Sequence, residues 1–382
     1  MQSKSGVEKI IHALIVCSLS TIAQSRIYAN SWQLNVSAIS DLMKINDQIS
    51  YVPFYPAFPF EYEKLPLTND HYKGFFHETF ILTIPQGQVF GLDGWVIVND
   101  SLINELIWQR VYPAEVALQR AKENPVIIKE GRIAVIAQSG YNYYYHWIVE
   151  VLGRLALLEM QGVEYDFLYV PIHAPYMKET LQLWGIDSSK IIIATDDYMV
   201  SADTLIVPSL VANVSVDGCP RLVHYIPSYI VHYVRAKLLR NIEQQKHDYQ
   251  FNKKVFISRQ DASMRKVINE DEVFALFEAQ DFVRYHLTKM SVIEQIALFN
   301  NAEIIVGSLG SGLTNLIFCN PDVQIIELYQ ARRDCTIWNL SQMVGLQHHR
   351  CIKTTDFIDQ YEGQYDTLMP LDVIEELLTT LH

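Results

Sequence analysis

Apolar residues change their spacing along the chain, and the change predicts its elements. From Phe80 to Asn99 the apolar runs are short and broken by Gly87, Gly91 and Gly94, which predicts strands joined by turns. Upstream, residues 51–60 (YVPFYPAFPF) combine proline with aromatics. Proline excludes a regular helix there, so an extended segment lying on a surface is expected. Further on, strand-like and helix-like runs alternate. Arg132–Gln138 reads as a strand, Ser139-Gly140-Tyr141 as a break, Asn142 as an N-cap and Tyr143–Met160 as a helix. Asp166–Val170, Lys190–Ala194 and Thr204–Val207 read as strands, and Pro175–Trp184 as a helix. This order predicts a layered α/β unit on a largely parallel sheet.

Residues 208–227 read as a loop-rich crossover and Ile226–Gln245 as a helix. The alternation then repeats more clearly. Lys254–Ser258, Phe282–His286, Glu303–Val306 and Val323–Leu328 read as strands. Two helices between them open on capping patterns, Asn269 with Glu272 and Ser291 with Glu294. Leu313–Phe318 reads as a short helix, Thr336–Val344 and Leu371–Leu381 as longer ones. The expected architecture is one half of a doubly wound fold. We divide the chain into an N-terminal extension (1–75), an α/β unit (76–225) and a second α/β unit with a C-terminal helix (226–382).

Composition narrows the function. With 382 residues, 49% hydrophobic and 19% charged, the chain buries a large core, and global disorder is excluded. The net charge of −13 repels a phosphate backbone, and Lys253-Lys254 and Arg332-Arg333 are too short to make a basic surface, so no nucleic-acid partner is expected. The five cysteines are widely spaced without a CxxC pair, which predicts reduced thiols in a cytoplasmic protein rather than a zinc or redox centre. The apolar run Ile10–Ala23, preceded by Lys4 and Lys9, is shorter than the roughly 20 residues of a membrane span. It predicts a helix that packs on the protein or touches a membrane surface.

Ligands of open α/β sheets bind beyond the carboxyl ends of the strands. That rule selects the loop Gly307-Ser308-Leu309-Gly310-Ser311-Gly312, where glycines admit a ligand to the backbone and the helix beyond offers unpaired N–H groups. Ser258-Arg259 ends a neighbouring strand with Arg265 beyond it, and a guanidinium suits phosphate. Glu327 ends the next strand and is placed to accept from ribose hydroxyls. In the first unit, His146, Glu150 and Arg154 are spaced i, i+4, i+8 and share a helix face, with Trp147, Val151, Leu155 and Leu158 as the buried stripe opposite. His146 and Glu150 are candidate general bases, and Asp93 is a third. The glycine spacing is not the dinucleotide GxGxxG, which argues against a nicotinamide oxidoreductase, and DxD, GxSxG, HExxH and P-loop motifs are missing.

Taken together, Asn142 to Glu150 with His146-Trp147, then Ile257-Ser258-Arg259, Arg265, Asn269-Glu270, the run Gly307 to Asn315, and Ile326-Glu327 resemble glycosyltransferase family 61 over roughly residues 85–345. The resemblance implies a GT-B fold, with two Rossmann-like domains facing across a cleft. It also implies an inverting transfer from a nucleotide sugar, usually a UDP-sugar, to a glycan acceptor hydroxyl, with no required metal or other cofactor. Surface or capsular polysaccharide synthesis at the cytoplasmic face of the membrane is the implied setting. His146 or Glu150 would act as base. Arg259, Arg265, Gly310, Ser311, Gly312, Leu313, Asn315 and Glu327 would hold the donor. The chain departs from the family at Leu309, where a histidine is usual. A degenerate relative that binds a nucleotide or glycan without turnover is the competing expectation, and restoring histidine at 309 would then raise affinity.

Overall fold

The structure, a computed structural model, describes residues 36–62, 72–107, 114–212, 214–216, 225–244, 249–329, 336–353, 357–358 and 366–381. The apolar run Ile10–Ala23, Arg332-Arg333 and parts of the 51–75 and 208–227 segments lie outside these residues. The protein is α/β, and two of the four sheets among the described residues carry the fold. The larger has ten strands among the described residues and is mixed. Its parallel part runs through Met199–Pro208, Val126–Val135, Phe167–Val170 and Ile191–Ile193. On its other edge, Met199–Pro208 pairs antiparallel with Thr79–Pro85 and Gln88–Phe90. The strands expected to pair parallel do so, and the sheet is mixed because the strands of residues 79–98 add an antiparallel part. The short glycine turns between residues 79 and 98 are too brief for parallel crossovers, so those strands pair antiparallel. Ser50–Tyr55 pairs with Thr79–Pro85, so the proline-rich segment is extended as read but forms a sheet strand. Pro53 lacks an N–H to donate, and it sits beside a register shift.

The smaller sheet is wholly parallel, in the order Val283–Tyr285, Lys254–Ile257, Ile304–Ser308, Gln324–Tyr329, His348–Lys353. Numbered along the chain, its strands run 2-1-3-4-5, a doubly wound order whose direction reverses between its first and third strands. The last strand, His348–Lys353, had no apolar pattern to announce it.

Side chains alternate across both sheets. Val255, Ile257, Ile305 and Ile325 enter one core while Phe256, Ile304, Val306 and Ile326 enter another. Likewise Ala134, Ile136, Leu168 and Ile206 share the first core, and Ile133, Val135, Tyr169 and Leu205 face away. One continuous core therefore lies between the two sheets, filled by helices. Ser228–Gln244 buries Ile230, Val231, Val234 and Leu238, and each full burial contributes about 1.5–3 kcal/mol. It packs against Leu152–Met160, Pro175–Trp184 and Ser311–Phe318.

This position explains the helix of residues 144–160. It was expected to have one polar face, yet Trp147 through Leu158 are buried on every side, because the helix stands between two sheets. It is not uniform. Trp147–Val151 is a π-turn, closed by the Leu152 amide on the Trp147 carbonyl. Asn142 is exposed and Tyr143 occupies the N-cap without a side-chain bond. Asn269 does not cap its helix either. Its amide instead exchanges two 2.9 Å bonds with the Met369 backbone. Ser291 and Glu294 do form the expected capping box.

Candidate active site

The reversal in strand order falls between Lys254–Ile257 and Ile304–Ser308, whose carboxyl ends carry Ser258-Arg259 and the glycine loop. Crevices at such switch points are where doubly wound sheets take ligands. Arg259 spans the crevice. Its Nε donates to the Arg265 carbonyl at 3.2 Å and its Nη2 to the Met264 carbonyl at 2.9 Å. Burial first, and the neighbouring charge of Arg265 second, pull its pKa below the ordinary arginine value. Both effects favour an anionic neighbour. Arg265 adopts φ +58°, a conformation that costs a non-glycine residue about 1–2 kcal/mol. Glu270, only 2% exposed, accepts from the Arg259 amide at 2.9 Å and from the Ser258 hydroxyl, so it ties this loop to the helix that follows.

Gly310 is needed for space. Its φ of 174° is ordinary extended backbone, but a Cβ there would meet Arg259 Nη1 at 1.8 Å. The guanidinium therefore lies directly against the loop. Beyond Gly310 the short helix expected over Leu313–Phe318 forms as the 3-10 helix Ser311–Phe318. The Leu313 amide already bonds the Gly310 carbonyl at 3.0 Å. Ser311 and Gly312, the first two positions, have no acceptor within the helix, so their amides are the ones offered to an anion.

Leu309 and Leu313 belong to the central core, 2% and 1% exposed. Asn315 is fully buried; its Nδ2 donates to Gln295 Oε1 at 2.9 Å and to the Gly312 carbonyl at 3.1 Å, and its Oδ1 accepts from Tyr144 Oη at 2.8 Å. These three residues form the floor under the loop. Glu327 is also buried, with Oε2 2.9 Å from His349 Nε2, while His349 Nδ1 lies 2.8 Å from Ser341 Oγ. Cys351 is adjacent, and the donor atoms of Glu327, His349 and Cys351 lie within 4.8 Å of one another. Among the described residues this is the one trio whose donors could surround a metal ion.

The Tyr144–Asn315 bond joins the glycine loop to the buried helix that carries His146. His146 Nδ1 lies 2.6 Å from Glu150 Oε1, and Gln138 Nε2 donates to Glu150 Oε2 at 2.5 Å. When Nδ1–H donates to the carboxylate, the neutral ring carries its lone pair on Nε2. Glu150 is 0% exposed and His146 8%. The imidazole is the one of the two that solvent or a substrate can reach. Arg154 shares their helix but not their network. Its guanidinium donates to the carbonyls of Ala137 and Pro208, and burial pulls its pKa down to about 9. It fastens strand ends and does not extend the His–Glu row. Asp93 lines a recess together with Gly140–Tyr143, just before this helix, and takes a hydrogen bond from Ser139.

Residues 144–326 match the family model described as Glycosyltransferase 61. Over this region the chain is similar to the glycosyltransferase 61 family. An EGF domain-specific O-linked N-acetylglucosamine transferase of Mus musculus is 28% identical over 120 residues, covering 30% of this chain and 23% of that relative. The Drosophila melanogaster protein of the same name is 29% identical over 113 residues, covering 29% and 22%. The chain thus matches less than a quarter of the length of these curated relatives. The matched region contains His146, Glu150, Arg259, Arg265 and the whole loop through Asn315, and it stops one residue before Glu327.

Within the candidate site, sequence reasoning missed four supporting residues: Gln138, Glu270, Gln295 and His349. Glu270 was quoted within the motif Asn269-Glu270 but given no role at the site, and its proximity to Ser258 is a tertiary contact. Gln295 carried a weak signal, being a polar residue on the apolar face of its helix. Gln138 and His349 gave none.

Proposed function

We propose that the chain transfers a sugar from a nucleotide sugar, UDP-linked, to a glycan acceptor hydroxyl with inversion at the anomeric carbon. The observation that carries this reading is the direct connection, through Tyr144 and Asn315, between a switch-point glycine loop and a buried His–Glu pair. His146 Nε2 takes the acceptor proton as the acceptor oxygen bonds to the sugar C1. The bond from C1 to the diphosphate oxygen breaks, and its electron pair leaves with the nucleotide. Arg259, Arg265 and the amides of Ser311 and Gly312 stabilise the charge on that leaving group. Glu150 orients the imidazole and stabilises its protonated form. Leu313 and Asn315 act beneath the loop by fixing its shape.

Several parts of this reading extend the family resemblance: the GT-B arrangement of two Rossmann-like domains, a route that needs no metal, and a place in surface polysaccharide synthesis at the cytoplasmic side of a membrane. The Glu327 contact to ribose also belongs here: His349 holds Oε2, while Oε1 has no hydrogen-bond partner among the described residues. No described helix is long and apolar enough to cross a membrane.

The test is UDP release from a panel of UDP-sugars in the presence of glycan acceptors, with the product anomer read by NMR. Release with an inverted product supports the proposal. A retained anomer contradicts the single displacement. UDP binding with no release for any donor favours the alternative of a binding relative without turnover.

A further inference from the structure

A recess of about 390 Å³ opens beside the Gly140–Tyr143 turn, within the range of small-ligand sites. Trp95, Tyr141 and Tyr143 provide its aromatic walls, and Asp93, Asp196 and Arg120 its charged groups. Asp196 is held in place: Oδ1 accepts from the Leu92 amide at 3.2 Å, and Oδ2 lies 3.5 Å from Arg120 Nη2. Asp93 is fixed by its bond from Ser139. Tyr143 is 54% exposed, and its ring meets His146 edge-on with centroids 6.0 Å apart. The wall of the recess therefore also borders the imidazole.

Resting on the transferase reading above, we propose that this recess is the acceptor subsite and takes a terminal neutral or amino sugar. Pyranose rings present C–H faces that pack on aromatic rings, and their hydroxyls donate to carboxylates. Two carboxylates stand against one guanidinium, and that guanidinium already faces Asp196. The residual negative charge on Asp93 repels a uronate or sialate and attracts an ammonium. A sugar held against Tyr143 has a hydroxyl within reach of His146.

The experiment is direct binding of the full chain, without donor, to arrayed oligosaccharides ending in neutral, amino or uronic acid residues. An EGF-like domain is included as a polypeptide probe. Wild type is expected to bind neutral or amino termini and to ignore uronates. Tyr143→Ala and Asp93→Asn should each weaken that binding by roughly tenfold, the loss of one contact of about 1.4 kcal/mol. Preference for uronates, binding of the polypeptide but no sugar, no sugar binding by wild type, or unaltered binding in both variants would overturn the proposal. Thermal denaturation confirms that each variant is folded. UDP affinity is measured separately, so a failure of the donor reading is distinguishable from a failure here.

Discussion

Replacing Gly310 with alanine tests the proposed diphosphate seat with one methyl group. The added Cβ would lie 1.8 Å from Arg259 Nη1 and 2.6 Å from Cζ, well inside van der Waals contact, so the guanidinium must move away. The backbone does not resist, because φ 174° and ψ 163° are extended values open to alanine. Moving Arg259 breaks its bonds to the carbonyls of Arg265 and Met264 and removes its contact with the ligand. A hydrogen bond involving a charged group is worth about 1.5–3 kcal/mol. At about 1.4 kcal/mol per tenfold in Kd, Gly310→Ala weakens UDP binding by roughly 10- to 150-fold. Arg259→Ala does the same. The double variant is no weaker than either alone, because both changes remove one contact. Calorimetry of UDP binding to each folded variant provides the measurement. A Gly310→Ala chain that binds UDP as tightly as wild type refutes the seat, and additive losses refute the link between Gly310 and Arg259.

Three further outcomes are expected. Glu150→Gln leaves the imidazole without its carboxylate and lowers kcat by roughly 10²-fold or more, with the KM for the donor unchanged; steady-state kinetics at saturating donor would expose an equal loss in both. Burial, reinforced by Asp196 and opposed by the Ser139 bond, raises the Asp93 pKa. The contribution of this carboxyl to stability is therefore complete below the ordinary carboxyl pKa and is lost as pH rises through the raised value. Asp93→Asn should raise Tm at pH 7, and the gain should vanish at acid pH; a gain that persists there contradicts the assignment. Leu309→His places an imidazole where a 2% exposed apolar side chain packs in the central core. It should lower stability by about 1–3 kcal/mol in urea denaturation without tightening UDP binding, contrary to the expectation from the family motif.

Local signals were legible wherever they agreed with packing. The Pro175–Trp184 helix and the Ser291–Glu294 capping box stand as read, and the first four strands of the parallel sheet follow from their apolar runs. His348–Lys353 (HHRCIK) was not legible, because its polar residues give no alternation. The antiparallel pairing of Met199–Pro208 depends on contacts far apart in sequence. Residue types at the site were legible and their arrangement only in part. Strand order placed Arg259 beside the glycine loop, as the pairing of Ile257 with Gly307 shows, but not the close approach of its guanidinium to Gly310. Arg154 matched the spacing of His146 and Glu150, but the carbonyls of Ala137 and Pro208 claim it. The π-turn at Trp147–Val151 leaves no trace in side-chain periodicity, yet it lies between His146 and Arg154, and such turns recur at functional sites.

The central claim is that the glycine loop seats a nucleotide diphosphate within reach of the His146–Glu150 pair. A crystal structure of the chain soaked with UDP tests it most directly. The account predicts diphosphate oxygens within hydrogen-bond distance of the Ser311 and Gly312 amides and of Arg259, with the open side of the site facing His146. A nucleotide seated elsewhere, or an Arg259 that keeps only its backbone carbonyl partners beside bound UDP, would contradict it.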